Sequence, residues 1–290
     1  MLKHAAATRM TEKTLKDIRN ALQEKTIDIL SGYRKSFSTY HPPGQLVLPE
    51  NLKEFSMYIL GLTKTRAFKA GHEPSDRRTH VMRQLKSMSI SSLPLVLYPR
   101  ILPLHSLPTV SCFADQETGH LILPSTIRAS FSRIDEGGAY LVDDGQICIL
   151  WLHAQVSPNL LEDLFGPNIT SLQSLDPTTS TLPVLDTHLN AQVRNILAYW
   201  ASFRGSKSGP TVPIQIARQG LDGSEFEFAR MLVEDRNNEA QSYVDWLVNV
   251  HRHIQMELAG QRKREEGGGG TSIEGAMAGI TSLWSGTAGT

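Results

Sequence analysis

The chain has 290 residues, of which 40% are hydrophobic and 20% charged, a composition typical of a folded globular protein with one large or two modest domains. Lysine plus arginine and aspartate plus glutamate each number 29, so the net charge is zero and no overall field attracts nucleic acid. The two cysteines, Cys112 and Cys148, are too few for a four-cysteine zinc site, and the ten histidines lack metal-ligand spacing. We therefore expect no nucleic-acid partner, no metal and no cofactor.

The sequence predicts neither a secretory signal nor a membrane span. The first 13 residues, MLKHAAATRMTEK, lack the apolar core of about 7–15 residues that a signal peptide requires. No apolar run approaches the ~20 residues that would cross a bilayer. Because the two cysteines suggest a reducing compartment, we expect a cytosolic chain whose membrane contact is peripheral.

The first third of the chain shows helical periodicity. Apolar residues recur at steps of three and four over 15–33, which predicts a first helix. A second helix is predicted from about residue 49 until Gly71, and a third over 75–87. The sequence therefore predicts an all-helical domain over residues 1–92.

A change of pattern follows at Leu93. The segment 93–104, LPLVLYPRILPL, predicts an entry strand because it combines closely spaced prolines with β-branched and aromatic residues. Residues 139–143 and 146–153 predict two further strands, and Asp144-Gly145 between them favours a type I′ hairpin turn. Ser157 is the predicted N-cap of a short amphipathic helix that follows.

The remaining pattern predicts, in chain order, a helix, a strand and two more helices, over 186–203, 211–217, 225–232 and 241–258. Strands interleaved with helices indicate an α/β domain over 93–258. Residues 259–290 contain four consecutive glycines and predict a disordered Gly-rich tail.

Several segments together resemble one family, the cargo-adaptor subunit of the COPII inner coat. Resemblance to its helical domain is carried by IDILSGYRK (27–35), GQLVLPENLK (44–53), MYILGLTKTRAF (57–68) and LYPRI (97–101). Resemblance to its gelsolin-like domain is carried by GAYLVDDGQICILWLHAQV (138–156), LLEDLFG (160–166), LPVLDT (182–187), FARMLVEDR (228–236) and SYVDWLVNVHRHIQ (242–255). The resemblance implies an all-helical domain followed by a gelsolin-like α/β domain with a central mixed sheet flanked by helices.

The resemblance also implies a function. It is that of a non-catalytic vesicle-coat component for transport from the endoplasmic reticulum to the Golgi, cytoplasmic and peripheral on endoplasmic reticulum and COPII vesicle membranes. The implied partners are the partner inner-coat subunit, other coat proteins and, in the intact subunit, cargo or SNARE proteins. The family places a zinc finger, a trunk domain and a β-sandwich before the helical domain. Their absence here leads us to expect a C-terminal fragment, a truncated gene model or a paralogue that lost its front half.

The sequence offers two rival functions and one metal hypothesis. Arg218 lies where the paralogous coat subunit, by resemblance, supplies an arginine finger to a small GTPase, although a surface arginine at the end of a strand is the simpler interpretation. A gelsolin-type module also raises actin binding. Asp143 and Asp144, with Glu162 or Asp163, offer few of the oxygens that calcium needs, and Asp144 is better explained by the turn. We therefore expect no catalytic, cofactor-binding or metal-binding residue.

Three further features have a structural and a functional interpretation. A basic group near residue 76 suggests either a solvated helix face or a phosphate or acidic-lipid contact; it comprises Lys64, Arg66, Lys69, Asp76, Arg77 and Arg78. The tryptophans at 151, 200 and 246 are expected in the core, whereas Trp284 is expected to be a lone exposed aromatic residue or part of a short partner-binding motif. His153 stands where the family usually has glycine and is expected to crowd the end of a strand.

Overall fold

A computed structural model of the protein describes residues 14–37, 45–204, 211–238 and 240–262. The predictions for Trp284 and for most of the Gly-rich tail lie outside these ranges. In the described part, an N-terminal group of helices precedes a four-stranded sheet that has helices packed on both faces.

The first helix, α1, spans Leu15–Ser36 and confirms the prediction from its apolar spacing. Thr14 caps it, because its hydroxyl accepts a hydrogen bond from the backbone N–H of Asp17 and the Asp17 carboxylate accepts one from the backbone N–H of Thr14. The buried face of α1, which includes Ile18 and Leu30, belongs to the core formed by the helices.

The second predicted helix is divided in two and ends earlier than predicted. α2 spans Glu50–Lys53 and α3 spans Phe55–Lys64, whereas the sequence predicted one helix up to Gly71. Thr65 ends α3 because its backbone is extended (φ −61°, ψ 155°) and its hydroxyl donates to a carbonyl of the preceding turn at 2.7 Å. The third predicted helix is confirmed as α4, Ser75–Ser87.

The segment predicted as an entry strand begins with a short helix. α5 spans Leu93–Leu97, and the strand β1 is confined to Arg100–Pro103. Pro94 lies in the first turn of α5, where its missing N–H removes no helical hydrogen bond. The proline after Tyr98 disfavours helical angles at that residue, which is extended (φ −146°, ψ 95°). The strand prediction is therefore wrong for the first half of the segment.

The sheet is mixed and has the strand order β1–β2–β3–β4. The bounds of the later strands are Ala139–Asp143 for β2, Cys148–Leu152 for β3 and Ile214–Arg218 for β4. β2 is antiparallel to β1 and to β3, while β4 is parallel to β3. Every residue of β2 and β3 is buried because alternate side chains enter two cores: Leu141 and Leu150 pack on one face, and Tyr140 and Trp151 on the other.

The hairpin between β2 and β3 has a four-residue loop, 144–147, in place of the predicted two-residue type I′ turn. That turn needs positive φ at both central residues, and within this fully described loop only Gly145 has it, at 82°. The Asp144 carboxylate is buried and accepts hydrogen bonds from the backbone N–H groups of Gln146 and Ile147 at 2.8 and 2.9 Å. These bonds stabilise the longer loop, so β3 begins at Cys148 and not at Gln146.

The remaining predicted helices are present with slightly shorter bounds: Pro158–Phe165 for α6, His188–Phe203 for α7, Glu225–Met231 for α8 and Tyr243–Leu258 for α9. Ser157 is the N-cap residue of α6, as predicted, but its side chain makes no capping hydrogen bond. α9 packs against α1, and its Trp246, Val250 and Ile254 share one core with the N-terminal helices. The last helix therefore completes the helical core, although it follows the sheet in the chain.

Candidate functional site

Arg218, the candidate arginine finger, lies at the end of β4 with its guanidinium group occupied inside the protein. Its Nε and Nη2 donate to the two carboxylate oxygens of Asp222 at 2.8 and 2.7 Å. Its Nη1 donates to the backbone carbonyls of Leu172 and Leu175 at 2.9 and 2.8 Å. An in-trans finger has to reach the transferring phosphoryl group of a bound nucleotide. This side chain is only 12% exposed and stabilises the turn after β4. Its environment supports a structural role for Arg218 at the end of the strand.

Asp222 is held by the same contacts. The hydrogen bonds from the Arg218 side chain keep the pKa of the Asp222 carboxyl below its usual range, against the opposing effect of burial. The backbone N–H of Arg218 also donates to the Asp222 Oδ2 at 2.8 Å. The pair therefore fixes the end of β4 to the turn that follows it.

Asp143 lies at the opposite end of the sheet and is fully buried between two arginines. Arg100 is directly across from it on β1 and donates from Nε to Oδ2 at 2.9 Å. Arg204, immediately after α7, pairs with Oδ1. The guanidinium carbon of Arg100 also lies 3.8 Å from the centroid of the Trp200 ring, which adds a cation–π contact. Both carboxylate oxygens of Asp143 are thus bound to cationic donors.

Asp144, the other oxygen donor considered for calcium, is also occupied. Its carboxylate accepts the backbone N–H groups of the hairpin loop, and burial raises its pKa. Across residues 14–37, 45–204, 211–238 and 240–262, no group of three or more His, Cys, Asp or Glu side chains is placed to hold a metal ion. The calcium hypothesis for Asp143 and Asp144 therefore gains no support from the geometry.

Neither cysteine offers a reactive thiolate. Cys112 and Cys148 are both free and buried. Burial raises the pKa of Cys112 to about 11 and raises that of Cys148 well above its usual range. Because the thiolate is the nucleophile and the metal ligand, both residues serve as small apolar side chains.

His153 is accommodated at the end of β3 through hydrogen bonds. Its Nδ1 accepts from the backbone N–H groups of Gly137 and Gln155 at 3.0 and 3.1 Å, which places the ring proton of the neutral form on Nε2. The ring also packs edge-on against Trp151, with 5.9 Å between centroids. The side chain therefore joins the loop before β2 to the segment that follows β3.

The basic group near α4 does not form one charged surface. Lys64 is buried, Arg66 and Lys69 form ion pairs with glutamates, and Arg78 donates to two backbone carbonyls. Of this group, Arg77 is the exposed cation. The phosphate or acidic-lipid contact considered for these residues therefore has no assembled cluster to support it.

Lys64 instead joins the helices to the connector, defined here as residues 232–238 between α8 and α9. Its Nζ donates to the carbonyl of Val233 at 2.7 Å, to the carbonyl of Asp235 and to the Asn237 Oδ1 at 3.2 Å. Burial lowers the pKa of Lys64 to about 8, partly opposed by the charge of Asp235. A lysine at the end of the mostly apolar α3 is the sequence signal for this contact, whereas both interpretations of the basic group place that lysine on a surface.

The connector also forms hydrogen bonds and an ion pair with residues beside the sheet. The Glu234 carboxylate accepts a hydrogen bond from the Tyr98 hydroxyl at 2.5 Å and pairs with Arg128 at 2.7 Å. Burial, followed by the Glu234 hydrogen bond, raises the pKa of Tyr98. Asp235 accepts from the Ser130 hydroxyl at 2.7 Å. Through Lys64 on one side and these residues on the other, the connector links the helical core to the sheet.

The three tryptophans expected in the core are buried, as predicted. Trp151 stacks on Phe228 of α8 with 4.6 Å between ring centroids, and Trp200 supports Arg100. Trp246 of α9 donates from its indole Nε1 to the backbone carbonyl of Ser56 in α3 at 3.1 Å. This last bond is a second attachment of α9 to the N-terminal helices.

Two family models match separate parts of the chain. A family model described as the Sec23/Sec24 helical domain matches residues 1–94, and a model of the gelsolin repeat matches residues 120–197. The gelsolin match concerns the fold around the sheet and carries no statement about actin.

Curated relatives and a solved structure extend the similarity over most of the chain. Protein transport protein sec24 of Aspergillus fumigatus is 30% identical over 256 residues, or 87% of the chain, and its namesake from Neurospora crassa is 32% identical over 248 residues, or 84%. The crystal structure of the human COPII-coat protein Sec24c matches 89% of the chain with a TM-score of 0.72 and 29% identity. Over most of its length the chain is similar to the part of Sec24 proteins that includes the Sec23/Sec24 helical domain and a gelsolin-like domain.

The chain spans less than a third of the length of these relatives. The chain spans 28% of the A. fumigatus protein, 26% of the N. crassa protein and 32% of the human Sec24c chain. The predicted fold, a helical region followed by a gelsolin-like domain with a mixed sheet, is confirmed.

Among the described helices of the chain, none has both the length and the apolar character required to cross a membrane.

Proposed function

We propose that this chain works as part of a COPII vesicle coat, in the cargo-adaptor subunit that takes part in transport from the endoplasmic reticulum to the Golgi without catalysing a reaction. The observation that carries the proposal is the similarity of 87% of the chain to a protein transport protein sec24, with human COPII-coat protein Sec24c as a structural match. The occupied guanidinium of Arg218 and the buried thiols agree with a role that has no covalent step.

The mechanism is the fixed presentation of one surface relative to another. Lys64 and Trp246 attach the connector and α9 to the N-terminal helices, and Glu234 attaches the connector to residues beside the sheet. Because these contacts are buried hydrogen bonds and an ion pair, they oppose rotation of the gelsolin-like region against the helical region. A coat subunit needs such rigidity, since its contacts have to repeat at the same angle in every copy.

The partners follow from the same proposal. They are the partner inner-coat subunit, other coat proteins and cargo or SNARE proteins bound by the intact subunit, on the cytoplasmic side of endoplasmic reticulum and COPII vesicle membranes.

The division of the chain into residues 1–92, 93–258 and a tail over 259–290 stays a prediction.

Immunoprecipitation of the tagged chain from cells tests the proposal. We expect the chain to recover other coat subunits, and to do so more strongly when vesicle budding is arrested on the membrane. Lys64→Met should reduce recovery, because it leaves the buried carbonyl of Val233 without its donor and removes two further hydrogen bonds to the connector. Lys53→Met, at an exposed lysine, is the matched control. Recovery of no coat protein by the unaltered chain would overturn the proposal.

A further inference from the structure

The surface loop between α4 and α5, residues 88–92, carries three exposed serines around an exposed isoleucine. The serines are Ser89, Ser91 and Ser92. Ile90 is 88% exposed, more than any other large apolar side chain in the part of the chain that the structure describes. The isoleucine therefore adds almost nothing to the core and is accessible to another protein.

Ser89 has the local sequence that basophilic serine kinases recognise. Such kinases select a basic residue three positions before the serine, which binds acidic side chains of the kinase, and a large apolar residue directly after the serine. Lys86 and Ile90 occupy these two positions around Ser89. The loop therefore places both recognition residues beside an exposed hydroxyl group.

Ser56 provides a comparison within the same chain. It also has a lysine three positions before it, Lys53, and an apolar residue, Met57, directly after it. Ser56 lies in α3 and is 2% exposed, and its hydroxyl accepts a hydrogen bond from the indole Nε1 of Trp246 at 2.9 Å. A kinase therefore cannot reach Ser56 without local unfolding of α3, although both recognition residues are present.

A third serine has the lysine but lacks the apolar residue. Ser38 follows Lys35 by three positions, and Thr39 comes directly after it. No other serine or threonine of the sequence has a lysine or arginine three positions before it. Ser89 is thus the one that combines both recognition residues with an exposed position.

The surroundings of Ser89 also suit a phosphate group. Its Oγ lies 2.9 Å from the Oγ of Ser91 and 2.9 Å from that of Ser92, so two hydroxyl groups are placed to donate to phosphate oxygens. The carbonyl end of α4 disfavours a negative charge, but Lys86 lies in the last turn of that helix and offsets this effect. The sequence has no Asp or Glu over residues 77–114, so the segment itself brings no carboxylate to the phosphate.

We propose that Ser89 is a phosphorylation site for a basophilic kinase. The kinase transfers the γ-phosphoryl group of ATP to the Ser89 Oγ: the bond from the γ-phosphorus to the bridging oxygen of ADP breaks, a P–Oγ bond forms, and the hydroxyl proton passes to a carboxylate of the kinase. The phosphate adds about −1.5 to −2 charges to the loop at pH 7. The inference goes beyond the proposed coat function and does not depend on it.

Phosphorylation of the purified chain by the catalytic subunit of cyclic-AMP-dependent protein kinase tests the site. Mass spectrometry of the digested product should place the main phosphate on Ser89, and Ser89→Ala should remove it. Lys86→Gln should lower the initial rate by about tenfold, the effect of losing one charge-assisted contact with the kinase, whereas Lys86→Arg should keep the rate. Lys53→Gln, at an exposed lysine with the same spacing to a serine, is the matched control and should leave the rate unchanged.

A synthetic peptide of residues 83–95 separates recognition of the sequence from access to the loop. We expect the kinase to phosphorylate the same serine in the peptide and in the folded chain. If the peptide accepts phosphate and the folded chain does not, the loop is inaccessible and the proposal is overturned. It is also overturned if the main phosphate lies on Ser38 or any other residue, or if Lys86→Gln and Lys53→Gln change the rate equally.

Discussion

The two ends of the sheet each carry an arginine–aspartate cluster, and the clusters are built in opposite ways. At one end the aspartate is central: Asp143 is fully buried and two arginines converge on it. At the other end the arginine is central: Arg218 binds one carboxylate and two backbone carbonyls. Both central residues were candidates for chemistry in the sequence, and both hold separate segments of the chain together.

The difference lies in the distance along the chain from which the charged partner comes. Asp143 is bound by arginines 43 residues before it and 61 residues after it, so its cluster depends on tertiary structure alone. Asp222 is only four residues from Arg218, and this pair needs little more than the local turn. Loss of Asp143 should therefore leave two buried arginines without their carboxylate, whereas loss of Arg218 should loosen the turn after β4 and its hydrogen bonds to residues 172 and 175.

Asp143→Ala should produce the largest effect. Arg100 and Arg204 would both lose their shared carboxylate, and breaking a buried pair on one side costs about 3–5 kcal/mol in the free energy of unfolding. Denaturant unfolding measures this loss, and hydrogen exchange should show weaker protection in β1 and in the last turn of α7. Asp186→Ala, at an exposed aspartate, is the control and should change stability by less than about 0.5 kcal/mol. A loss no larger than that of the control would mean that the cluster contributes nothing.

Arg218→Ala should lower the free energy of unfolding by less, about 2–3 kcal/mol. The Leu175 carbonyl loses its donor and the Leu172 carbonyl keeps only a backbone N–H, while the backbone N–H of residue 218 still reaches Asp222. The pKa of Asp222 is lowered in the folded chain, so its contribution is present above the unfolded pKa of about 3.9 and is lost as pH falls further. The difference in the free energy of unfolding between the unaltered chain and Arg218→Ala should therefore narrow below about pH 4. Arg83→Ala, at an exposed arginine, is the control.

Arg218→Ala also distinguishes a structural role of Arg218 from a catalytic one. A variant with unchanged stability but lost stimulation of GTP hydrolysis by a small GTPase would restore the arginine-finger hypothesis. Equal hydrolysis rates with reduced stability would confirm the structural role of Arg218.

Local signals in the sequence predicted most elements, and distant partners account for what was missed. α1 and α4 were predicted because the apolar spacing of each helix is contained within one segment. α5 was mistaken for a strand because a short apolar run has no clear period, and only the proline after Tyr98 marks where the helix ends. The sheet strands were found, but the loop between β2 and β3 is longer than predicted because the buried Asp144 carboxylate binds its backbone.

The environments of single charged residues could not be predicted for a related reason. Lys64 was placed in a surface cluster because its neighbours in sequence are basic, whereas its acceptor Val233 lies 169 residues away. The carbonyls that bind Arg218 lie 43 and 46 residues before it. Charge patterns predict elements well, but burial decides which charges remain available.

Asp144→Asn should change the stability of the protein least. Its neighbour Asp143 binds two arginines, whereas Asp144 binds backbone N–H groups of its own loop. An asparagine Oδ1 accepts the same two backbone N–H groups, so the change should alter stability by less than about 1 kcal/mol. Burial raises the pKa of Asp144 in the folded chain, so its ionised form disfavours folding once pH exceeds the unfolded pKa of about 3.9. The variant should thus be slightly more stable than the unaltered chain at pH 7, and this gain should vanish in acid, where Asp144 is protonated in both states. Thermal unfolding at the two pH values, with and without added calcium, measures it. If calcium raised the melting temperature of the unaltered chain but not of Asp144→Asn, the carboxylate would be a metal ligand, and the loop would need a second arrangement in which its backbone N–H groups are released.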